Sequence, residues 1–344
     1  MSVIGALAII VACLLDTSKP TTAADAGGQE ALGKSLFEDK SLSLDGKVSC
    51  QSCHDPAHAY ASAHARSIGV DGKTGTRNAP SLVGIANDDA FFWDGRRTRL
   101  EDVVLDPFTN PVELGLPSLD TLLERLGREP KLLAEFRETY PKANSVPTIE
   151  QVQTALASFV SSLTTTSSQF ELLQPNGHLS SAVAEQGRLL FEGIAGCSDC
   201  HRVDGRVARF TDGQYHHSGV EQSAISARLS AVTQAVVTQN LDAAGLGPKL
   251  LIDPEWSALG RFCVTHNPAD IGAFRTPSLR NVAITAPYMH DGSIATLADA
   301  VDHEIYYRGF SNGHPINLSL SERQALVAFL ETLTDGSVEQ TNVP

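Results

Sequence analysis

The chain of 344 residues has no excess of positive charge, few sulfur-containing residues and no long apolar run. Lys and Arg number 26 against 40 Asp and Glu, which gives a net charge of −14. Such a surface argues against nucleic acid or an anionic membrane as a partner, but a basic protein remains compatible with it. With 42% hydrophobic and 19% charged residues, the composition is that of a soluble globular protein. The length allows two domains of ordinary size.

Six cysteines are present, and their spacing makes a disulfide framework an unfavourable interpretation. Four of them belong to two CxxCH units, CQSCH at residues 50–54 and CSDCH at residues 197–201. The remaining two are Cys13 and Cys263, of which the second is interpreted as a buried free thiol. A redox dithiol needs no following histidine, and a zinc site needs further cysteine pairs. The units therefore predict covalently bound haem.

Each unit supplies two thioether positions and one iron ligand. Two thiols three positions apart can bond both vinyl groups of one haem, and the adjoining histidine then lies beneath the iron. The expected cofactors are thus two haem c groups. The first would be attached at Cys50 and Cys53 with His54 as proximal ligand, and the second at Cys197 and Cys200 with His201 as proximal ligand.

The surroundings of the two units also repeat in the same order. GKSLFE precedes the first unit and GRLLFE the second; the segments RNAPSL…WDG and FRTPSL…HDG follow them, and QTALASFVSSLT pairs with RQALVAFLETLT. The predicted fold is mainly α, with two cytochrome c-like domains at residues 27–170 and 171–344 and long loops between helices. TTTSSQ and QPNGH mark the break between the domains. Residues 218–256 are interpreted as a helical insertion.

The N-terminus carries the features of an export signal. An apolar run at residues 2–15, too short for a comfortable membrane span, precedes a small polar stretch, so residues 1–26 are predicted to be a signal peptide cleaved near Ala24 or Ala26. The expected basic residue at the start is missing. IVAC, ending at Cys13, also resembles a lipoprotein attachment box, which would anchor the protein to a membrane. Either processing route places the mature protein in the periplasm.

The internal repeat also locates the residues that face the two irons. Aligning WDG at residues 93–95 with HDG at residues 290–292 superposes Leu100 on Leu297. Two helical turns further along the same face lie Pro107 and Glu304. Pro107 has no donor atom, so the first haem is predicted to be open at this point and to bind peroxide there.

The chain resembles the bacterial di-haem cytochrome c peroxidase and MauG superfamily, nearer the MauG and MbnH branch. The motifs that carry the resemblance are the CxxCH units, FFWDGR, DPF…NPVEL, FTDGQYHHSGV and GAFRTPSLRNVAITAPYMHDG. The resemblance implies that the N-terminal haem is the peroxide site, that Trp93 mediates electronic contact between the haems, and that Glu113 handles protons during O–O cleavage. It also implies one calcium ion between the domains, with protein contacts at Asn78, Thr285 and Pro287.

Three positions depart from the peroxidase pattern. Val70 stands where conventional enzymes often carry a removable distal His, and Val103 replaces the usual Gln. The sixth ligand of the second haem is a Met in those enzymes and a Tyr in the MauG branch. Here Glu304 is in register counted from Leu297, and Tyr306 is in register counted back from RG at residues 308–309. Either would be a hard oxygen donor that favours ferric iron, and the choice stays open.

Three functions are compatible with these residues. The favoured one is a periplasmic oxidoreductase that uses H2O2, shares the oxidising equivalents between two haems and oxidises a partner protein, at a tryptophan side chain. The second is a peroxidase that reduces H2O2 with electrons from a small cytochrome or cupredoxin. The third is a non-catalytic electron carrier, which needs a sixth ligand at the first haem that Val70 and Pro107 do not supply.

Overall fold

The computed structural model describes residues 23–141, 146–165, 168–172, 177–203, 208–221, 225–311, 313 and 315–336. Cys13 and residues 1–22 of the expected signal peptide lie outside this range, as do parts of the expected break between the domains. In the described segments, no helix combines the length and the apolar character that crossing a bilayer requires.

Helices account for most of the regular structure, as the sequence predicts. The helices are α1 (Ala23–Glu38), α2 (Cys50–Cys53), α3 (Leu100–Val103), α4 (Asp106–Thr109), α5 (Leu119–Leu126), α6 (Pro130–Thr139), α7 (Ile149–Ser162), α8 (Ala182–Glu192), α9 (Leu229–Gln239), α10 (Ala243–Ile252), α11 (Pro254–Ala258), α12 (Phe262–Thr265), α13 (Leu297–Ser311) and α14 (Leu320–Glu331). Two short strands, β1 (Tyr215–His217) and β2 (Ala273–Arg275), pair antiparallel with His216 opposite Phe274.

The two halves are built on the same helix pair. In the first half α1 packs on α7, and in the second α8 packs on α14. Both pairs approach closely at a glycine: a Cβ atom at Gly33 would lie 1.9 Å from the carbonyl oxygen of Ala155, and one at Gly187 would lie 1.8 Å from that of Ala325. Only glycine permits such an approach of the two backbones. The repeat seen in the sequence is therefore a repeat of packing geometry.

Local signals fix the starts of the closing helices. Thr148 caps α7 in a reciprocal capping box with Gln151, and Ser319 caps α14 in the same way with Glu322.

Each half has its own apolar core, against which these helices pack. The first core includes Leu36, Phe37, Phe108, Leu156 and Phe159; the second includes Phe191, Phe210, Leu326, Phe329 and Leu330.

A third apolar cluster is distinct from the two expected cores. It is formed by α9 to α12 and contains Val236, Leu250, Trp256, Leu259 and Phe262. The expected insertion is thus helical, but it continues beyond residue 256. The cluster belongs in sequence to the second half and yet contacts the first, because Thr76 donates a hydrogen bond of 2.7 Å to the carbonyl oxygen of Leu250.

Charged side chains hold the two halves together beside the strands. Asp88, in the first half, forms ion pairs with Arg209 and with Arg275 of β2, the latter at 2.7 Å. The backbone nitrogen of Arg275 also donates to the carbonyl oxygen of Trp93 at 2.9 Å. These contacts bring the WDG turn of the first half against the second half.

Candidate functional site

Both CxxCH units present their histidine in the same way. The backbone nitrogens of His54 and His201 donate to the carbonyl oxygens of Cys50 and Cys197, each at 2.9 Å, which folds the histidine back over its own unit. His54 Nδ1 lies 2.9 Å from the carbonyl oxygen of Tyr60, and His201 Nδ1 lies 2.9 Å from that of Phe210. A carbonyl only accepts, so Nδ1 carries the proton and Nε2 keeps a free lone pair. Burial lowers the pKa of both rings, which favours the neutral form.

The four cysteines of these units are unpaired. Burial raises the pKa of Cys50 and of Cys197 to about 12, and that of Cys53 to about 11. A redox-active dithiol has a lowered thiol pKa. The thiols of this chain have the opposite character, which fits the thioether role expected from the sequence.

A cavity of about 530 Å³ lies against the second unit. Its walls include His201, both cysteines of the unit, and apolar side chains of α13, α14 and the APYMHDG segment, among them Leu297, Val301, Met289, Leu326 and Leu330. Size and lining are those of a cofactor pocket, concave and mostly apolar with a few polar groups. The residues present therefore fit a haem held at this unit.

Glu113 lies beside the first unit. The chain folds back at α4, where the backbone nitrogen of Leu114 donates to the carbonyl oxygen of Pro107 at 3.1 Å. Glu113 is half-buried, and burial raises the pKa of its carboxyl from 4.5 to about 7. The charge of Arg96 partly offsets this rise, and that of Asp106 reinforces it. Its charge acts on the thiols of Cys50 and Cys53. A carboxyl group whose pKa is close to 7 is suited to accept and return protons near neutral pH.

A buried charge cluster supports the WDG turn. Asp94 is fully buried and forms ion pairs with Arg77 and, at 2.9 Å, with Arg96. Burial acts to raise the pKa of Asp94, but the two guanidinium groups outweigh it and hold the pKa below its ordinary value. The guanidinium of Arg96 also lies 3.5 Å from the centre of the Phe92 ring. The charge of Arg96 also acts on the carboxyl of Glu113, so Arg96 connects this cluster with that residue.

Trp93 lies between the two halves. Its Nε1 donates to the carbonyl oxygen of Asn78 at 2.9 Å, and its ring meets that of His290 edge-on with centroids 6.5 Å apart. Trp93, Asn78 and His290 all line the cavity of the second unit. An indole at this position connects the N-terminal half to the second pocket through aromatic contact.

The two possible sixth ligands of the second site face different surroundings. Glu304 lines the cavity, and burial raises its pKa although His303 and Arg308 act in the opposite direction. Tyr306 is 75% exposed and does not belong to the cavity lining. The structure therefore places Tyr306 at the surface, because two residues beyond Glu304 a helical side chain points to nearly the opposite face.

Relatives of known identity match nearly the whole described chain. A family model for di-haem cytochrome c peroxidase matches residues 28–176. The methylamine utilization protein MauG of Methylorubrum extorquens is 32% identical over 311 residues, covering 88% of this chain and 77% of that protein. The cytochrome c551 peroxidase of Nitrosomonas europaea is 31% identical over 306 residues, with 88% and 79% covered. The chain belongs to the di-haem cytochrome c peroxidase and MauG family.

Solved structures agree with this assignment. A MauG-like protein associated with microbial copper homeostasis superposes with a TM-score of 0.72 at 28% identity, and 90% of each chain is covered. The di-haem peroxidase BthA of Burkholderia thailandensis has the same fold, with a TM-score of 0.68 at 23% identity. As a family member the chain is an oxidoreductase of the di-haem peroxidase class, and the family implies two haem c groups. The mainly α fold with cytochrome c-like halves is confirmed.

Calcium is assigned by resemblance to three positions. Asn78, Thr285 and Pro287 all contribute to the wall of the same cavity. Asn78 is buried, and its Nδ2 donates to the carbonyl oxygens of His64 and Ala65 at 3.0 and 3.3 Å. Asn78 Oδ1 and the backbone carbonyl oxygens of the other two residues are donors of the type calcium prefers, and water would have to complete the coordination.

Sequence reasoning missed two features of the site. Arg96 and Arg77 neutralise Asp94, and the FFWDGR motif contains the first of these residues but does not reveal its buried role. Glu221 bonds His290 at 3.1 Å, so His290 pairs with a carboxylate in this structure. Residues 69 positions apart make this contact, and no local sequence signal could have predicted it.

Proposed function

We propose that the protein reacts with H2O2 at the haem held by Cys50, Cys53 and His54, and withdraws electrons from a partner protein, at a tryptophan side chain. The observation that carries this proposal is the asymmetry between the two halves. Val70 and Pro107 offer no donor atom near the first site, and a proton-accepting carboxyl, Glu113, stands there instead. At the equivalent of Pro107 in the second half stands Glu304.

Bound haem supplies the iron that exchanges electrons with peroxide. Glu113 in its ionised form accepts a proton at a carboxylate oxygen from H2O2 and returns it to the departing oxygen, so that water leaves. Val70 and Pro107 keep the first site clear of competing side-chain ligands. Trp93 provides the aromatic contact through which electrons move between the two halves.

We further propose that one calcium ion binds at Asn78, Thr285 and Pro287. Asn78 accepts the hydrogen bond of Trp93 through its backbone oxygen, so an ion on its side chain would stiffen the support of the indole.

Export to the periplasm, with cleavage near Ala24 or Ala26 or lipidation at Cys13, is part of the same proposal. The acidic surface would favour a basic partner.

A second candidate function has a specific argument in its favour. Relatives named as cytochrome c peroxidases match this chain as well as those named MauG, at 31 to 32% identity. In that case a small cytochrome or cupredoxin donates the electrons, and no side chain of a partner is modified.

The test uses the haem-loaded full-length protein with H2O2. One arm supplies reduced cytochrome c and measures its steady-state oxidation. The other supplies an extract of the source organism and detects added oxygen on tryptophan by peptide mass spectrometry. Tryptophan modification with slow cytochrome turnover supports the proposal. Fast turnover without tryptophan modification overturns it in favour of the second candidate, and low-spin spectra from both resting haems would support an electron carrier.

A further inference from the structure

The second pocket contains more than one side chain that can bind iron. Apart from the proximal His201, its walls carry the carboxyl of Glu304, the phenol oxygens of Tyr288 and Tyr307, the thioether of Met289 and the imidazoles of His216, His217 and His290. His217 is exposed. Tyr306, the alternative suggested by counting back from Arg308, is at the surface. The partners of each side chain decide which of them is available.

Three of these groups are already bonded to other protein atoms. His216 Nε2 lies 2.8 Å from a carboxylate oxygen of Asp212. Tyr288 Oη donates to the carbonyl oxygen of Val282 at 2.9 Å. His290 Nε2 lies 3.1 Å from Glu221, and its ring stacks on that of Phe274 with centroids 3.5 Å apart. Binding iron would cost each of these groups its present contact.

Tyr307 is fixed against one wall of the pocket. Its ring packs against Gly219, where an added Cβ atom would lie 2.3 Å from the ring. The same ring lies parallel to that of His303 at a centroid distance of 6.3 Å, and His303 Nε2 contacts the carbonyl oxygen of Ser218 at 2.7 Å. These contacts hold Tyr307 to the 218–219 segment.

Glu304 has no such engagement. Among the described residues, its carboxylate accepts no hydrogen bond and forms no ion pair within 4 Å. It lies on the line of α13 residues that face the pocket, with Leu297, Val301 and Arg308, and its charge acts on the thiol of Cys197. Holding this carboxyl ionised against the apolar wall of the pocket is costly, and a metal cation is one of the few groups that can offset this cost.

We propose that Glu304 is the sixth ligand of the second haem, through a carboxylate oxygen opposite His201. This inference deepens the proposed function and rests on it for the role of the second haem. In the first half the equivalent segment is interrupted between α3 and α4, with Pro107 at the second position of α4. In the second half α13 runs unbroken from Leu297 to Ser311, and the equivalent position carries a ligand.

A carboxylate ligand determines what the second haem can do. An anionic hard oxygen donor stabilises ferric iron relative to ferrous iron, whereas a thioether does the reverse. A haem bound by His201 and Glu304 is therefore a poor store of electrons in its reduced form. It suits an enzyme that works without prior reduction, as the proposed function requires.

The test compares spectra of the haem-loaded full-length protein without peroxide. Electron paramagnetic resonance and near-infrared magnetic circular dichroism are recorded on the ferric wild type and on Glu304→Gln, with Tyr306→Phe, Tyr307→Phe and Met289→Leu as matched variants. Only Glu304→Gln is expected to change the signal of the second haem. Its ferric-to-ferrous equilibrium should shift at least ten-fold towards ferrous, which corresponds to about 59 mV for one electron.

A variant that gains a new spectroscopic band distinguishes a change of ligand from poor folding, which could only weaken the signal. Glu304→Met should create the near-infrared band of thioether ligation at the second haem, and Tyr306→Met should not. The pyridine haemochrome count must stay at two haems per chain, and a crystal structure of the loaded protein shows the ligand directly. An unchanged spectrum in both Glu304 variants, or a crystallographic ligand other than Glu304, overturns the inference. A response to Glu304 without peroxide activity would instead count against the proposed function alone.

Discussion

The backbone nitrogen of Val70 donates a hydrogen bond of 3.0 Å to the carbonyl oxygen of Glu113. This contact joins the loop that follows the first CxxCH unit to the segment that carries the carboxyl proposed to be catalytic. Val70 is fully buried. The position at which the family resemblance leads one to expect a removable histidine is thus directly connected to the residue proposed to move protons.

Replacing Val70 by His should close the first site. An imidazole at this buried position offers a strong ligand close to the Glu113 backbone, so the ferric spectrum of the first haem should become low-spin and the reaction with H2O2 should slow. The larger side chain also overpacks the core, at a cost of about 1–3 kcal/mol. Val70→Leu serves as the control for bulk alone. If the histidine variant stays high-spin and reacts at the rate of the leucine variant, Val70 does not face the first iron.

The reaction with peroxide should depend on the ionisation of Glu113. Because the pKa of this carboxyl is raised from 4.5 to about 7, the ionised form that accepts the proton accumulates as the pH rises through 7. The second-order rate constant, measured by stopped flow, should rise with pH and reach half its limit near that value. Glu113→Gln should lower the rate on the order of 10²–10⁴-fold and remove this pH dependence. A titration midpoint that survives in the glutamine variant would assign it to another group.

The raised pKa of Glu113 should also make the free energy of unfolding depend on pH. The folded-state pKa of Glu113 lies above its ordinary value of 4.5, so ionisation opposes folding increasingly as the pH rises from 4.5 to about 7 and at full strength above that. Glu113→Gln should therefore be more stable than the wild type at pH 8, by about 3 kcal/mol at most, and not at pH 4. Urea unfolding at the two pH values tests this, and a loss of stability at both would contradict it.

Removing the charge of Asp94 should destabilise the fold strongly. Asp94→Asn leaves the buried guanidinium groups of Arg77 and Arg96 without their counter-charge, a change that costs about 3–5 kcal/mol. Because the pKa of Asp94 is held below its ordinary value of 3.8, the ion pairs persist above that pH and are lost as the pH falls through the folded-state pKa. Asp89→Asn, an exposed neighbour of the same type, is the matched control. Equal urea midpoints for the two variants would show that the cluster contributes little.

Trp93→Phe should weaken the connection between the two sites and leave each site intact. The variant loses the hydrogen bond from Nε1 to Asn78, worth about 1 kcal/mol, but keeps an aromatic ring. Haem content and the initial reaction with H2O2 should match the wild type, while oxidation of the partner or of cytochrome c slows. Phe262→Leu, an aromatic change in the third cluster, controls for general loosening. Unaltered electron transfer in the Trp93 variant would remove Trp93 from the pathway.

Calcium can be tested at Asn78. Asn78→Ala removes one oxygen donor, so the calcium content measured by mass spectrometry should fall. Treatment with a calcium chelator should slow electron transfer between the two haems in the wild type but not in the variant. Asn87→Ala, at an exposed asparagine, is the matched control. Equal calcium content in both variants would show that Asn78 does not bind the ion.

Much of this site follows from counting along helices. The distance from Leu297 to Glu304 predicts the pocket-facing position correctly because α13 has no interruption between the two residues. Counting back from Arg308 instead selects Tyr306, which lies at the surface because it follows Glu304 by two residues and so points to nearly the opposite side of the helix. The repeat of the closing helices is visible for the same reason, because amphipathic spacing and capping residues are local signals.

Contacts between distant segments could not be predicted in this way. The pairing of Glu221 with His290 and the hydrogen bonds from Arg77 to Ser257 depend on how three cores meet, and no periodicity records that. The third cluster was expected only as a helical insertion. Its separate core, and its contact with Thr76 in the first half, arise from tertiary packing.

The support of the WDG turn comes largely from the second half of the chain. Arg261 donates to the carbonyl oxygens of Asp94 and Gly95 at 2.9 and 3.0 Å, and Arg77 is anchored on Ser257. A fragment ending near residue 170 would keep its own CxxCH unit and its own apolar core but would lose these anchors. The duplicated halves therefore resemble two independent cytochromes only in outline: separated by a protease or expressed from two genes, they would have to reassemble before the indole regained its place.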